Sequence, residues 1–125
     1  MKLEEIKKQA KKLKNSNRVI AIVLFGSFAR GGETPLSDID ICIIPREGTE
    51  IGDILEETAD MDGEISFFYH LPLHIRYQVF AEGKPLLINS EEKYNEVKSK
   101  TILRYLDIKP MRERMLKKSL ESGVF

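Results

Sequence analysis

Asp38 and Asp40 stand two residues apart in Ser37-Asp-Ile-Asp40. On an extended strand, positions i and i+2 share a face, which spaces the two carboxylates about 6.5–7 Å apart along the chain. Ile39, Ile41 and Ile43 take the opposite face, towards a core. Two carboxylates fixed side by side near a buried surface repel each other, by about 4 kcal/mol at ~4 Å and an effective dielectric of ~20. Either one is protonated or a cation sits between them. Hard oxygen ligands with no His or Cys cluster nearby favour magnesium or manganese over zinc.

Twelve residues before Asp38, Gly26-Ser27 follows directly on an apolar run. A glycine there lets backbone N–H groups approach an anion closely, and an N–H cluster at a following helix start binds phosphate. Ser27 adds a hydroxyl, and Arg30 is spaced to hold phosphate or brace a carboxylate. A phosphate binder and metal carboxylates on adjacent strand ends are what a magnesium–triphosphate site requires. The plainer alternative is a turn glycine and two solvated aspartates on an edge strand, and the isoleucines flanking both segments argue against it. There is no Gly-x4-Gly-Lys-Ser/Thr and no Gly-x-Gly-x-x-Gly after a strand, which disfavours P-loop enzymes and dinucleotide oxidoreductases.

The elements that position these residues follow from periodicity. Residues 2–15 carry Leu3, Ile6, Ala10 and Leu13 at helical spacing, an amphipathic helix ended by Asn15-Ser16-Asn17. Residues 18–25 are short, β-branched and almost wholly apolar, the pattern of a central strand covered on both faces. Residues 28–36 read as a loop or short helix, 37–45 as a second strand stopped by Pro45, 50–60 as a helix and 63–71 as a third strand. Pro72 opens a helix with Leu73, Tyr77 and Phe80 on one face, running to Gly83. A fourth strand or extended piece spans 84–89. Ser90 caps a helix through Tyr94, Val97, Ile102 and Tyr105, which Pro110 is expected to break before a last basic helix at 110–122. Strands alternating with helices predict a single α/β or α+β domain over 1–125, with its core at about 18–110.

Composition narrows the classes of function. At 125 residues with 32% charged and 42% hydrophobic side chains, the chain suits one folded domain rather than a disordered one. The longest apolar run, Val19–Phe25, has seven residues, far below the ~20 that cross a bilayer. The charged N-terminus is unlike a signal peptide, and one cysteine, Cys42, makes no internal disulfide, so a cytoplasmic protein is expected. Twenty basic residues balance twenty acidic ones, unevenly: seven basic and two acidic in 1–18, six and three in 104–121, seven and fifteen between. The basic flanks read as solvated helix faces or a partner surface. Bulk charge gives no support for nucleic-acid binding.

Gly26-Ser-Phe-Ala-Arg-Gly31 followed by Ser37-Asp-Ile-Asp40 resembles the signature of the polymerase-β-like nucleotidyltransferase superfamily. The short chain and the Gly-Ser-x-Ala-Arg-Gly form look most like its minimal nucleotidyltransferase (MNT) branch, as does Val79-Phe-Ala-Glu-Gly-Lys-Pro-Leu-Leu with the helix to Tyr105-Leu-Asp107. The resemblance covers about residues 18–110. It implies a nucleotidyltransferase fold, a mixed sheet with helices mainly on one face. Asp38 and Asp40 would hold two magnesium ions, Gly26 and Ser27 the ATP triphosphate, and a third-strand carboxylate would complete the site. The candidates for that carboxylate are Asp62 and Glu64. Gly63 begins the strand and leaves Asp62 in the turn, which favours Glu64.

The resemblance further implies transfer of AMP from ATP to a hydroxyl of a partner protein. In the MNT branch that partner is a HEPN-domain RNase toxin modified on a tyrosine, and the transferase is its antitoxin. Two alternatives stay open: a weak or inactive module that neutralises its partner by contact, and a small-molecule nucleotidyltransferase. His70 and His74 have no nucleophile partner and read as structural or exposed. Cys42 reads as a buried thiol, the four tyrosines as packing residues, and Arg46 as a solvated loop arginine.

Overall fold

The structure is a computed structural model and describes residues 2–26 and 39–122. Helix α1 (Lys2–Lys11) has Glu4 and Glu5 in its first turn and Lys8 and Lys11 in its last, charges that complement the helix dipole. A turn with Asn15 at φ 67° delivers the chain to β1 (Val19–Phe25). After β2 (Asp40–Pro45) come α2 (Ile51–Thr58), β3 (Glu64–Phe67), a 3-10 turn (Phe68–His70), α3 (Leu73–Glu82), β4 (Lys84–Ile88) and α4 (Glu91–Ser122).

The four strands form one mixed sheet in the order β3-β2-β1-β4. β1 is antiparallel to β2 and β4, and β2 is parallel to β3. A parallel pair needs a crossover connection, and α2 supplies it. As its apolar run indicated, β1 is central, and every residue from Val19 to Leu24 is buried.

Alternation along the strands feeds two cores. Ile22, Leu24, Ile39, Ile41 and Ile43 pack with Ile6, Ala10 and Leu13 of the α1 segment and Ile54 of α2. Ile20, Val23, Cys42 and Ile44 pack with Phe68, with Val79 and Phe80 of α3, and with Tyr94 of α4. The expected mixed sheet is present, but its helices divide between the two faces rather than lying mainly on one. A strand as apolar as β1 leaves neither face for water, so both must be covered.

Two expected boundaries are corrected. The third strand stops at Phe67 rather than Leu71. Its ladder with β2 ends at the Ile43–Phe67 pair, and the Tyr69 and Leu71 carbonyls beyond it accept from Arg76 Nη2 (2.8 Å) and Nε (2.9 Å). Pro110 does not end a helix either: α4 runs through it for 32 residues. Its missing N–H frees the carbonyl one turn back, but Leu106 there is 48% exposed, so water can satisfy that oxygen.

Asn89, just past β4, ties three segments together. Its Nδ2 donates to Leu13 O (2.9 Å) and Val19 O (3.0 Å), and its Oδ1 accepts from Asn15 N–H (2.9 Å). Asn89→Ala strands these part-buried groups and is expected to cost about 2–4 kcal/mol, read as a lower denaturation midpoint at unchanged slope. The Arg18–Glu57 ion pair (2.7 Å), with side chains 50% and 31% exposed, contributes at most about 1 kcal/mol.

Candidate active site

Three strand ends meet at one edge of the sheet. Phe25, the last residue of β1, is the register partner of Asp40, the first of β2. Asp40 is in turn the register partner of Glu64, the first of β3. Register partners project from the same side of a sheet. Ile65 and Phe67 pack on the α1 side while Cys42 belongs to the α3–α4 side, so Asp40 and Glu64 share the α3–α4 side. Asp40 is half-buried and Glu64 exposed.

Two glycines make this approach possible. Gly26 has φ +80°, and a Cβ there would run into the Asp40 carboxylate, 3.1 Å from its Cγ. Gly26 therefore lies directly against the acid. Gly63 has φ +94°, and a Cβ there would sit 2.6 Å from the Ile39 carbonyl oxygen. That close turn lets Glu64 N–H donate to the same oxygen at 2.8 Å, which sets Glu64 level with Asp40.

Of the acids considered for the third strand, Glu64 is the one in register. Asp62 sits in the preceding turn, where its backbone N–H donates to Gln9 Oε1 (3.0 Å) while Gln9 Nε2 donates to Asp60 O (2.7 Å). Gln9 thus clamps the turn that leads into β3 from α1. It was not singled out in the sequence, although a half-buried amide beside Ala10 on the inner face of α1 is a signal of such a clamp. Ser27, Arg30 and Asp38 lie outside the described residues.

The donor set suits a hard cation: two carboxylates in register, with His70 and His74 exposed elsewhere. Among the described residues no group of three or more His, Cys, Asp or Glu could hold a metal.

Cys42, two residues on from Asp40, is fully buried, and burial pushes its thiol from 9.0 up to about 12. It is a packing residue, not a nucleophile. A thiol reagent at pH 8 is expected to label it only after unfolding in urea. Because the folded state raises this pKa, the thiol's contribution to stability holds below about pH 9 and is lost as pH rises towards 12. A pH series of melting curves reads that loss. The tyrosines pack as expected in two cases: Tyr94 is buried against Phe80 (5.5 Å) and Tyr77 stacks on Tyr105 (4.2 Å). Tyr69 is 47% exposed.

Residues 3–108 match the nucleotidyltransferase domain family. A Methanocaldococcus jannaschii protein named a protein adenylyltransferase is 32% identical over 68 residues, which are 54% of this chain and 55% of that protein. The match therefore spans about half the length of that relative. Solved structures that share the fold include the following two. One is a toxin–antitoxin with AMP-PNP (TM-score 0.69, 21% identity, 96% of this chain and 99% of that one). The other is a tri-AMPylated Shewanella oneidensis HEPN toxin in complex with MNT antitoxin (TM-score 0.65, 19% identity, 94% and 98%).

Proposed function

The chain belongs to the nucleotidyltransferase domain family, and on that premise we propose that it transfers AMP from ATP to a hydroxyl of a partner protein. The acceptor is a tyrosine of a HEPN-domain RNase toxin, and the chain acts as its antitoxin in the cytoplasm, as one domain over residues 1–125. The observation that carries this reading is the alignment of Gly26, Asp40 and Glu64 at one sheet edge. The M. jannaschii relative's name and the tri-AMPylated toxin in a neighbouring structure support the choice of a protein acceptor. AMP-PNP in another neighbour supports ATP as donor. No described helix is long and apolar enough to cross a membrane.

In the reaction the acceptor's hydroxyl oxygen bonds to the α-phosphorus of ATP. The α–β anhydride bond breaks, and pyrophosphate leaves with the electron pair. Asp38, Asp40 and Glu64 would hold magnesium, which when bound neutralises the triphosphate and the developing charge on pyrophosphate. Gly26, bare of a side chain, lets the backbone come up against Asp40 and leaves its N–H groups open to the triphosphate, and Ser27 and Arg30 donate to its oxygens. Glu64, the more exposed acid, takes the hydroxyl proton on its carboxylate. An AMP on the toxin's tyrosine adds a negative charge and a bulky base where RNA would bind.

Ligand that binds only the folded state must stabilise it, by about 2.7 kcal/mol at a hundredfold excess over Kd, or roughly 5–15 °C in a domain of this size. Magnesium-ATP is expected to raise the melting temperature of the wild type by that amount, and magnesium or ATP alone by much less. An unchanged melt with magnesium-ATP would contradict the nucleotide site.

A further inference from the structure

At the far end of the same sheet face lies a cavity of about 390 Å³, bounded by the end of β2, the 3-10 turn, α3 and the first half of α4. Arg46 follows the last residue of β2, six residues from Asp40, or about 20 Å at ~3.3 Å per strand residue. The cavity is therefore separate from the carboxylate site. Its volume falls within the range of small-molecule sites, ~300–1,000 Å³.

The lining is cationic. Arg46, Arg76, Lys93, Lys100 and Arg104 face it with only Glu47 and Glu96 in opposition, and Glu96 is already shared with Lys93 at 3.7 Å. Arg46 Nε is shielded from solvent yet has no hydrogen-bond partner among the described residues. A buried guanidinium nitrogen without an acceptor is costly, and Arg46 is one of the residues that line the cavity. Arg76 is held ready: two of its donors are spent on Tyr69 O and Leu71 O, and its guanidinium carbon lies 5.6 and 5.7 Å from the Phe68 and Tyr69 ring centroids. Such a clamp removes the rotamer entropy that binding would otherwise cost. Ile20, Leu73 and Val97 supply an apolar seat.

We infer that this cavity is a second site, which binds a phosphorylated small molecule of mononucleotide size. Its phosphate lies against Arg46 and Arg76, and its apolar body sits on Ile20, Leu73 and Val97. A phosphate monoester carries about −1.5 to −2 charges at pH 7, which answers a lining with three more cations than carboxylates. Guanidinium forks match its oxygens in pairs.

The test uses full-length Asp40→Asn protein without magnesium, so that the carboxylate end contributes no nucleotide binding, titrated calorimetrically with AMP and with inorganic phosphate. The expected result is one AMP per chain, with inorganic phosphate competing at lower affinity. Arg76→Gln is expected to weaken AMP at least tenfold. Lys100→Glu with Arg104→Glu, both at exposed helix positions, is expected to weaken it similarly at an unchanged melting temperature. Absence of binding at millimolar AMP, or binding indifferent to both sets of substitutions, would overturn the site. Equal affinity for AMP and phosphate would overturn the apolar seat. Failure of nucleotidyl transfer by the wild type leaves these outcomes unaltered, so the two readings are tested apart.

Discussion

Asp40→Asn is expected to lower the rate of AMP transfer by about 10²–10³-fold or more, the scale on which loss of one preorganised electrostatic contact acts, with the fold intact. Asparagine keeps the shape of aspartate, so the Phe25–Asp40 and Asp40–Glu64 register and the packing against Gly26 survive. The charge is lost from one of the carboxylates that would hold magnesium. Removing one of two like charges also relieves their repulsion, so without magnesium the melting temperature should be unchanged or slightly higher. Initial rates with labelled ATP, set beside melting curves, separate this from simple unfolding. A variant that retains wild-type rates would remove Asp40 from the chemistry.

Gly26→Ala is expected to damage both stability and rate. At φ +80° an L side chain costs about 1–2 kcal/mol, and here the added methyl also meets the Asp40 carboxylate. Relief comes only by moving the acid or the end of β1, so a loss of about 2–3 kcal/mol and a rate lower by about 10²-fold are expected. The two costs separate in a double-mutant cycle. In an Asp40→Ala background the carboxylate is gone and only the residue-40 Cβ, 3.3 Å away, is left against the added methyl, so Gly26→Ala should then cost little beyond the backbone part of about 1–2 kcal/mol. Equal costs in both backgrounds would mean that Gly26 and Asp40 do not press on each other.

Much of the site's framework was legible because it depends on short-range rules. The seven-residue apolar run of β1 could only be a central strand. A strand ending at Gly26 next to one bearing Asp40 follows from the spacing between them, and Phe25 and Asp40 are register partners. Gly63 marked the start of β3, which puts Glu64 rather than Asp62 level with Asp40. The roles of Ser27, Arg30 and Asp38 rest on their spacing and family resemblance.

What could not be read depends on contacts distant in sequence. The end of β3 was hidden because Arg76, nine residues on from Phe67 by number, takes up the Tyr69 and Leu71 carbonyls. Pro110 looked like a helix stop because its own rule is local, whereas the exposure of Leu106 that makes the lost hydrogen bond tolerable is not. The division of helices between faces rests on which side α3 and α4 return to. The cationic cavity draws its arginines from the residue after β2, from α3 and from α4, and no window of sequence shows them together.

The central claim is that this chain attaches AMP to a protein. The intact mass of the proposed HEPN-domain partner, after incubation with wild-type chain, magnesium and ATP, tests it. Mass is expected to be added in whole steps of one AMP, on tyrosine, with release of one pyrophosphate per step. A partner of unchanged mass, held in a stable complex and silenced nonetheless, would contradict it and establish neutralisation by contact.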